Sequence, residues 1–110
     1  TLPDILFQSG SAILTPSSYN FLDSISRFLS SVTVDSVIAD GHTDSIGTYE
    51  SNMKLGYERA TSVTEYFRRK YIKTDFLIRS SSSLRPVAPN NTPEGRKRNR
   101  RVEIYLYVRE

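Results

Sequence analysis

Asp44 and Arg59 are the two side chains in this sequence best placed to act together on one small ligand. Asp44 closes the polar string Gly41-His42-Thr43-Asp44, and Arg59 follows it by fifteen residues in a segment of helical periodicity. A carboxylate and a guanidinium on neighbouring elements can grip the ammonium and the carboxylate of a zwitterion, the guanidinium in bidentate fashion. The geometry requires a strand over 36–40 that delivers Asp44 to a loop beside the start of a helix. Arg59 is then expected about one turn into that helix, with N–H groups near Gly56 and Tyr57 favouring the same anion.

Catalysis is the weaker reading of the same residues. His42, Asp44 and Ser45 are the residue types of a hydrolytic triad, but near neighbours in a tight loop seldom aim at a common point. The chain has one histidine and no cysteine, so a metal site would have to be completed by carboxylates. We expect no enzyme activity, no metal and no cofactor. His42 is expected to hydrogen-bond backbone and brace the loop that follows it.

The elements that must position these residues follow from periodicity. Ile5-Leu6-Phe7 suits a brief strand, ended by Gln8-Ser9-Gly10-Ser11. Thr15-Pro16 offers an N-cap followed by Pro at the first helical position, and Phe21, Leu22, Ile25, Phe28, Leu29 and Val32 then recur as one apolar stripe. Ser36 to Asp40 reads as a second strand, and Gly41 to Asn52 as a loop with Gly47 at a positive φ. A second helix is expected from about Leu55-Gly56, with Tyr57, Ala60, Val63, Phe67 and Tyr71 on its core face and Arg59 elsewhere.

Phe76 to Arg79 reads as a third strand, and Ser80 to Pro93 as a long exposed loop, a length more often functional than idle. Pro93-Glu94-Gly95 opens a short helical turn. The C-terminus alternates: Val102, Ile104, Leu106 and Val108 on one face, Arg101, Glu103, Tyr105, Tyr107 and Arg109 on the other. Asn99 reads as a turn cap and Arg101 as solvent-facing. The order predicts an α+β (α/β) two-layer sandwich, βαβαβ(α)β, a mixed sheet with helices packed on one face.

The chain has 110 residues, the size of a single domain over 1–110, and at 37% hydrophobic and 25% charged it has the composition of a globular one. No apolar run approaches the ~20 residues of a membrane span. The start, Thr1-Leu2-Pro3-Asp4, has neither an initiator Met nor a signal peptide, and suggests a domain cut from a longer, membrane-anchored protein. Arg96, Lys97, Arg98, Arg100 and Arg101 concentrate the net charge of +3. With Tyr105 and Tyr107 they would suit a single-stranded nucleic acid, but no nucleic-acid motif accompanies them and a solvated basic face is the expectation.

Phe7, Gly41-His42-Thr43-Asp44, Gly47, Asn52, Leu55-Gly56, Arg59-Ala60 and Asn99-Arg100-Arg101-Val102 together resemble the signature of the OmpA-like C-terminal domain family, over nearly the whole chain. The Leu-Gly form is similar to that of peptidoglycan-associated lipoproteins, while Pro86-Val87-Ala88 and Thr92 to Arg96 resemble the loop of porin-type members. The resemblance implies binding of peptidoglycan through the meso-diaminopimelate of its stem peptide, in the periplasm and cell envelope of a Gram-negative bacterium. It implies that Asp44 takes the ammonium and Arg59 the carboxylate, that Thr43, Asn52 and Leu55 shape the pocket, and that Arg100 reaches the stem peptide from the opposite wall. It also admits a homodimer, and leaves as the alternative an interaction domain of a flagellar stator or secretion apparatus. The family usually has Gly where this chain has Ser80 and Ser82; wherever such a Gly has φ > 0, Ser costs about 1 kcal/mol.

Overall fold

A computed structural model describes residues 2–3, 7–8, 10–70 and 74–108. Its elements are β1 (Leu2–Pro3), α1 (Ser18–Ser31), β2 (Val34–His42), α2 (Tyr49–Arg69), β3 (Asp75–Ser82), α3 (Pro93–Asn99) and β4 (Arg101–Val108). The sheet has the order β1-β4-β2-β3, with β2 and β3 parallel and the other pairings antiparallel. The mixed sheet and the α+β class are as the sequence implied. Ile5, Leu6, Tyr71 and Arg109 lie outside the described residues; Phe7 makes an isolated antiparallel bridge to Leu14.

Alternation along the strands separates a helix-covered face from an open one. Val37, Ala39 and Val102 are fully buried against Leu22 and Leu29 of α1 and Ala60, Val63 and Phe67 of α2. Phe76, Ile78, Ile104 and Leu106 pack around that core. The crossing of α2 over β2 is backbone to backbone: a Cβ on Gly41 would stand 1.9 Å from the Gly56 carbonyl oxygen. Glycine at both positions is therefore a packing requirement, and it brings the end of β2 within reach of α2's polar residues.

Two helix starts, and the buried face of each helix, differ from the sequence reading. The first helix begins at Ser18 behind Ser17, because Thr15-Pro16 forms a preceding turn whose carbonyls accept from the Ser18 and Tyr19 amides. The expected apolar stripe of α1 divides: Leu22 and Leu29 are buried and Ile25 half-buried, while Phe21 and Phe28 face solvent. The second helix begins at Tyr49, six residues before Leu55, with Thr48 as N-cap accepting from the Ser51 amide. Tyr57, expected in the core, is exposed, whereas Arg59 is buried.

Candidate ligand-binding site

The C-terminal ends of the parallel strands β2 and β3 meet the start of β4 at one edge of the sheet. The register sets His42 beside both Ser82 and Arg101, so the residues just past β2 and just before β4, Asp44 and Arg100, come together. Arg100 Nη1 donates to Asp44 Oδ2 at 2.7 Å, a charge-assisted bond between groups that are 32% and 9% exposed at the side chain. The other carboxylate oxygen accepts from the Ile46 amide at 3.0 Å, which fixes the rotamer of Asp44 at the mouth of the loop.

Thr43 and Asn52 hold that loop. The Thr43 amide donates to the Ser82 carbonyl at 2.9 Å, and its hydroxyl donates to the Asp44 carbonyl at 3.0 Å. Asn52, buried in the first turns of α2, donates to the carbonyls of Asp44 at 3.3 Å and Ile46 at 3.0 Å. Gly47 has the positive φ that its place in the loop predicted, at 95°. Asn52 is thus a helical residue, not part of the loop.

Arg59 lies on the same face of α2 as Asn52 and Gly56, seven and three residues further on, hence about three turns into the helix rather than one. Gly56 and Tyr57 are correspondingly mid-helix, where N–H groups are spent on the helix itself and offer nothing to an anion. The helix-start amides are those near Thr48, whose side chain and carbonyl accept from the Ser51 and Asn52 N–H groups. The Arg59 guanidinium is 2% exposed, donates through Nε to the Ser11 carbonyl at 2.9 Å and stacks over the Phe7 ring at 4.9 Å. Leu55 is half-buried and lines a groove of about 300 Å³ with Gly10, Ser51, Asn52, Lys54 and Glu58. The structure thus joins Asp44, Arg100, Thr43 and Asn52 by direct bonds, and sets Leu55 and Arg59 about one and two turns beyond Asn52 on α2, beside Gly10 and beneath Phe7 and Ser11 respectively.

Several residues hold roles other than those the sequence suggested. His42 belongs to β2 and does not bond backbone: its ring is 1% exposed, with Nε2 3.4 Å from Asp40 Oδ2 and 3.2 Å from Glu103 Oε2, and neither nitrogen makes a hydrogen bond of good geometry. Burial pushes the imidazole below its ordinary value, with Asp40 opposing that shift and Arg101 adding to it. Asp40 is itself fully buried, bound by Arg79 Nε at 2.9 Å and the Ser81 hydroxyl at 3.0 Å.

Arg101 is 4% exposed rather than solvent-facing, because as the first residue of β4 it lies under the 83–92 loop and donates to the carbonyls of Arg85 and Asn99. Asn99 is no simple turn cap: its buried amide bonds the backbone of Val87 and Ala88 and the side chain of Asn90. Ser82 adopts φ 50° with its hydroxyl 3.3 Å from the Tyr49 carbonyl. Ser80 and Ser82 end β3 rather than beginning the loop. The Asn-Arg-Arg string was legible as a motif, but only the pairing of β4 with β2 separates its three jobs.

The family model described as the OmpA family matches residues 6–100. Outer membrane protein A of Bordetella avium is 40% identical over 104 residues, 94% of this chain and 54% of that protein. The peptidoglycan-binding protein ArfA of Mycobacterium tuberculosis is 35% identical over 103 residues, 93% of this chain and 32% of that protein. The cell wall anchor of the T6SS from Pseudomonas aeruginosa superposes with a TM-score of 0.84 at 34% identity, covering 96% of this chain and 77% of that one. The chain spans about half the length of the first of these curated relatives and a third of the second.

Proposed function

We propose that this chain, which belongs to the OmpA family, is a noncatalytic module that binds peptidoglycan through the meso-diaminopimelate of the stem peptide and so ties a membrane-anchored parent to the cell wall. The observation that carries the reading is the Asp44–Arg100 pair at 2.7 Å, an anion and a cation from two different loops fixed at one mouth. Relatives named for peptidoglycan binding and for anchoring to the cell wall support it. The compartment is the cell envelope; a mycobacterial relative makes that broader than the Gram-negative periplasm.

In this reading the ligand exchanges partners with the pair. Asp44 Oδ1 stays anchored by the Ile46 amide while Oδ2 passes from Arg100 to the ligand's ammonium. Arg100, released, meets the carboxylate side of the stem peptide, and Arg59, on the Asn52 face of α2 beneath Phe7 and Ser11, is the cation that receives the diaminopimelate carboxylate. Thr43 and Asn52 act by fixing the loop backbone, and Leu55 supplies the apolar wall. An amine without a carboxylate would take Asp44 from Arg100 and return no anion for the one removed, so the site favours zwitterions. Within the basic stretch, Arg100 belongs to this wall, and Arg96 and Arg101 clamp the loop through the carbonyls of Asn90, Arg85 and Asn99.

Co-sedimentation with purified diaminopimelate-type sacculi tests the proposal. Asp44→Ala and Arg59→Ala are each expected to remove most of the bound fraction while the circular dichroism spectrum is kept. Two folded variants that sediment like the parent would overturn it.

A further inference from the structure

β3 is an outer strand of the sheet, and among the described residues no element pairs with its free edge. Its open-face residues are Asp75, Leu77 and Arg79, all exposed, Leu77 at 54%. Edge strands are ordinarily guarded by charged side chains, lysine above all, by proline or by a bulge; the charges here, Asp75 and Arg79, are of opposite sign and so can pair rather than repel across a two-fold. The Asp75–Arg79 stretch carries no lysine or proline, and the sole irregularity of β3 against β2 comes later, at Ser80–Ser82. Leu77 also continues an apolar row, because the register sets Ile38 beside Leu77 on one side and beside Tyr105 on the other. The row above it is charged, Glu103–Asp40–Arg79.

We propose that this edge pairs with β3 of a second copy of the chain, antiparallel about a two-fold axis through Leu77. A two-fold contact is self-complementary, so each pairing occurs twice. Centred on Leu77, the strand places Asp75 opposite Arg79 of the second copy at both ends, and Leu77 against its own equivalent. The apolar rows then run on through the axis as Tyr105–Ile38–Leu77 followed by the same three in reverse. Neighbouring registers lose both features. A centre at Phe76 sets Asp75 against Leu77, a centre at Ile78 sets Leu77 against Arg79, and any half-step puts open-face residues opposite helix-face ones. Arg79 is already braced by Asp40 and stacked on Tyr105 with its centre 5.6 Å from the ring, yet its side chain is 48% exposed and has donors to spare. The charge order of the strand is what selects a second copy as the occupant.

The absence of cysteine makes the register measurable. Leu77→Cys in the 110-residue chain places two thiols across the axis at the separation of directly opposed strand residues, about 4.5–5.5 Å between Cβ atoms and close to disulfide range. Under mild oxidation it should form a covalent dimer, whereas Tyr107→Cys, equally exposed on the same face but two strands away from the free edge, should not. Sedimentation equilibrium at up to about 1 mM chain should show a reversible dimer in the parent. Asp75→Arg, which opposes arginine to arginine, should weaken that dimer about tenfold or more. Cross-linking of Leu77→Cys no faster than Tyr107→Cys, a parent that stays monomeric, or an Asp75→Arg dimer as tight as the parent's would each overturn the proposal.

Discussion

Ser82 shows how one residue type can be at odds with its backbone. Its φ of 50° lies in the left-handed region, its side chain is fully buried, and its carbonyl anchors Thr43. A glycine there would relieve the steric cost of a Cβ, at the expense of a hydroxyl contact of 3.3 Å and some unfolded-state entropy. Ser82→Gly is expected to stabilise the fold by about 0.5–1 kcal/mol in urea unfolding. A loss of more than about 0.5 kcal/mol would show that the hydroxyl matters more than the backbone. The resemblance had already singled out this position and Ser80; what it could not give was which of the two bends. Ser80 takes the other role, its hydroxyl lying where a Cβ on Gly56 would come within 2.5 Å.

His42 carries a pH signature of its own. Burial holds its folded value below the 6.5 of a free imidazole, so between the two values the unfolded chain binds the proton and the folded chain does not. Stability is therefore complete above about pH 6.5 and is lost as pH falls through that value toward the folded one. Asp40 and Glu103 face the ring and moderate the effect, while Arg101 and Arg85 reinforce it. Glu103 does not share the window: despite its partial burial, hydrogen bonds from Tyr105 and Arg101 hold its carboxyl below 4.5, so its own contribution is lost at lower pH. Urea midpoints at about pH 7.5 and about pH 5.5 should differ more in the parent than in His42→Gln. Equal differences would mean that the ring is not the group responsible.

Among the elements, β2, β3 and β4 were legible, the Leu2–Pro3 strand was not, and the helices were only partly so. β4 declares itself by alternation, and β2 by a short, mostly apolar run. The first two turns of α2 did not, because their inner face serves a loop rather than the core: Asn52 points at carbonyls, while the apolar Tyr49 is exposed and Met53 only half-buried. The capping Thr48 and the acidic Glu50 in the first turn were the available signals. In α1 the stripe was real but too wide, since a helix at the edge of a two-layer fold buries one narrow arc. Leu22, with no exposure, should cost roughly 2–5 kcal/mol as Leu22→Ala, and half-buried Ile25 about half of that as Ile25→Ala, read from denaturant unfolding. Equal losses at both positions, or a loss under about 0.5 kcal/mol at Leu22, would contradict this placement of α1.

At the scale of the molecule, the site exists because three strand ends converge. Parallel β2 and β3 deliver Asp44 and the 83–92 loop to one edge, and antiparallel β4 begins there, which is why Arg100 reaches Asp44 across fifty-six residues of sequence. Local pattern carries no information about that pairing. Asp44, Thr43, Asn52 and Arg100 could be named from the motif, but their bonds to one another, and the depth of Arg59 beneath Phe7 and Ser11, are products of register and crossing. The central claim is that this convergence reads a zwitterion, and calorimetric titration with two stem peptides tests it most directly. A diaminopimelate-type peptide offers both charges; a lysine-type peptide keeps the ammonium and lacks the terminal carboxylate. The account predicts that the second binds weaker by about 2–5 kcal/mol, thirtyfold or more, because the charge-assisted bonds between the ligand's carboxylate and the site's guanidinium are lost. Equal affinities for the two peptides would contradict it.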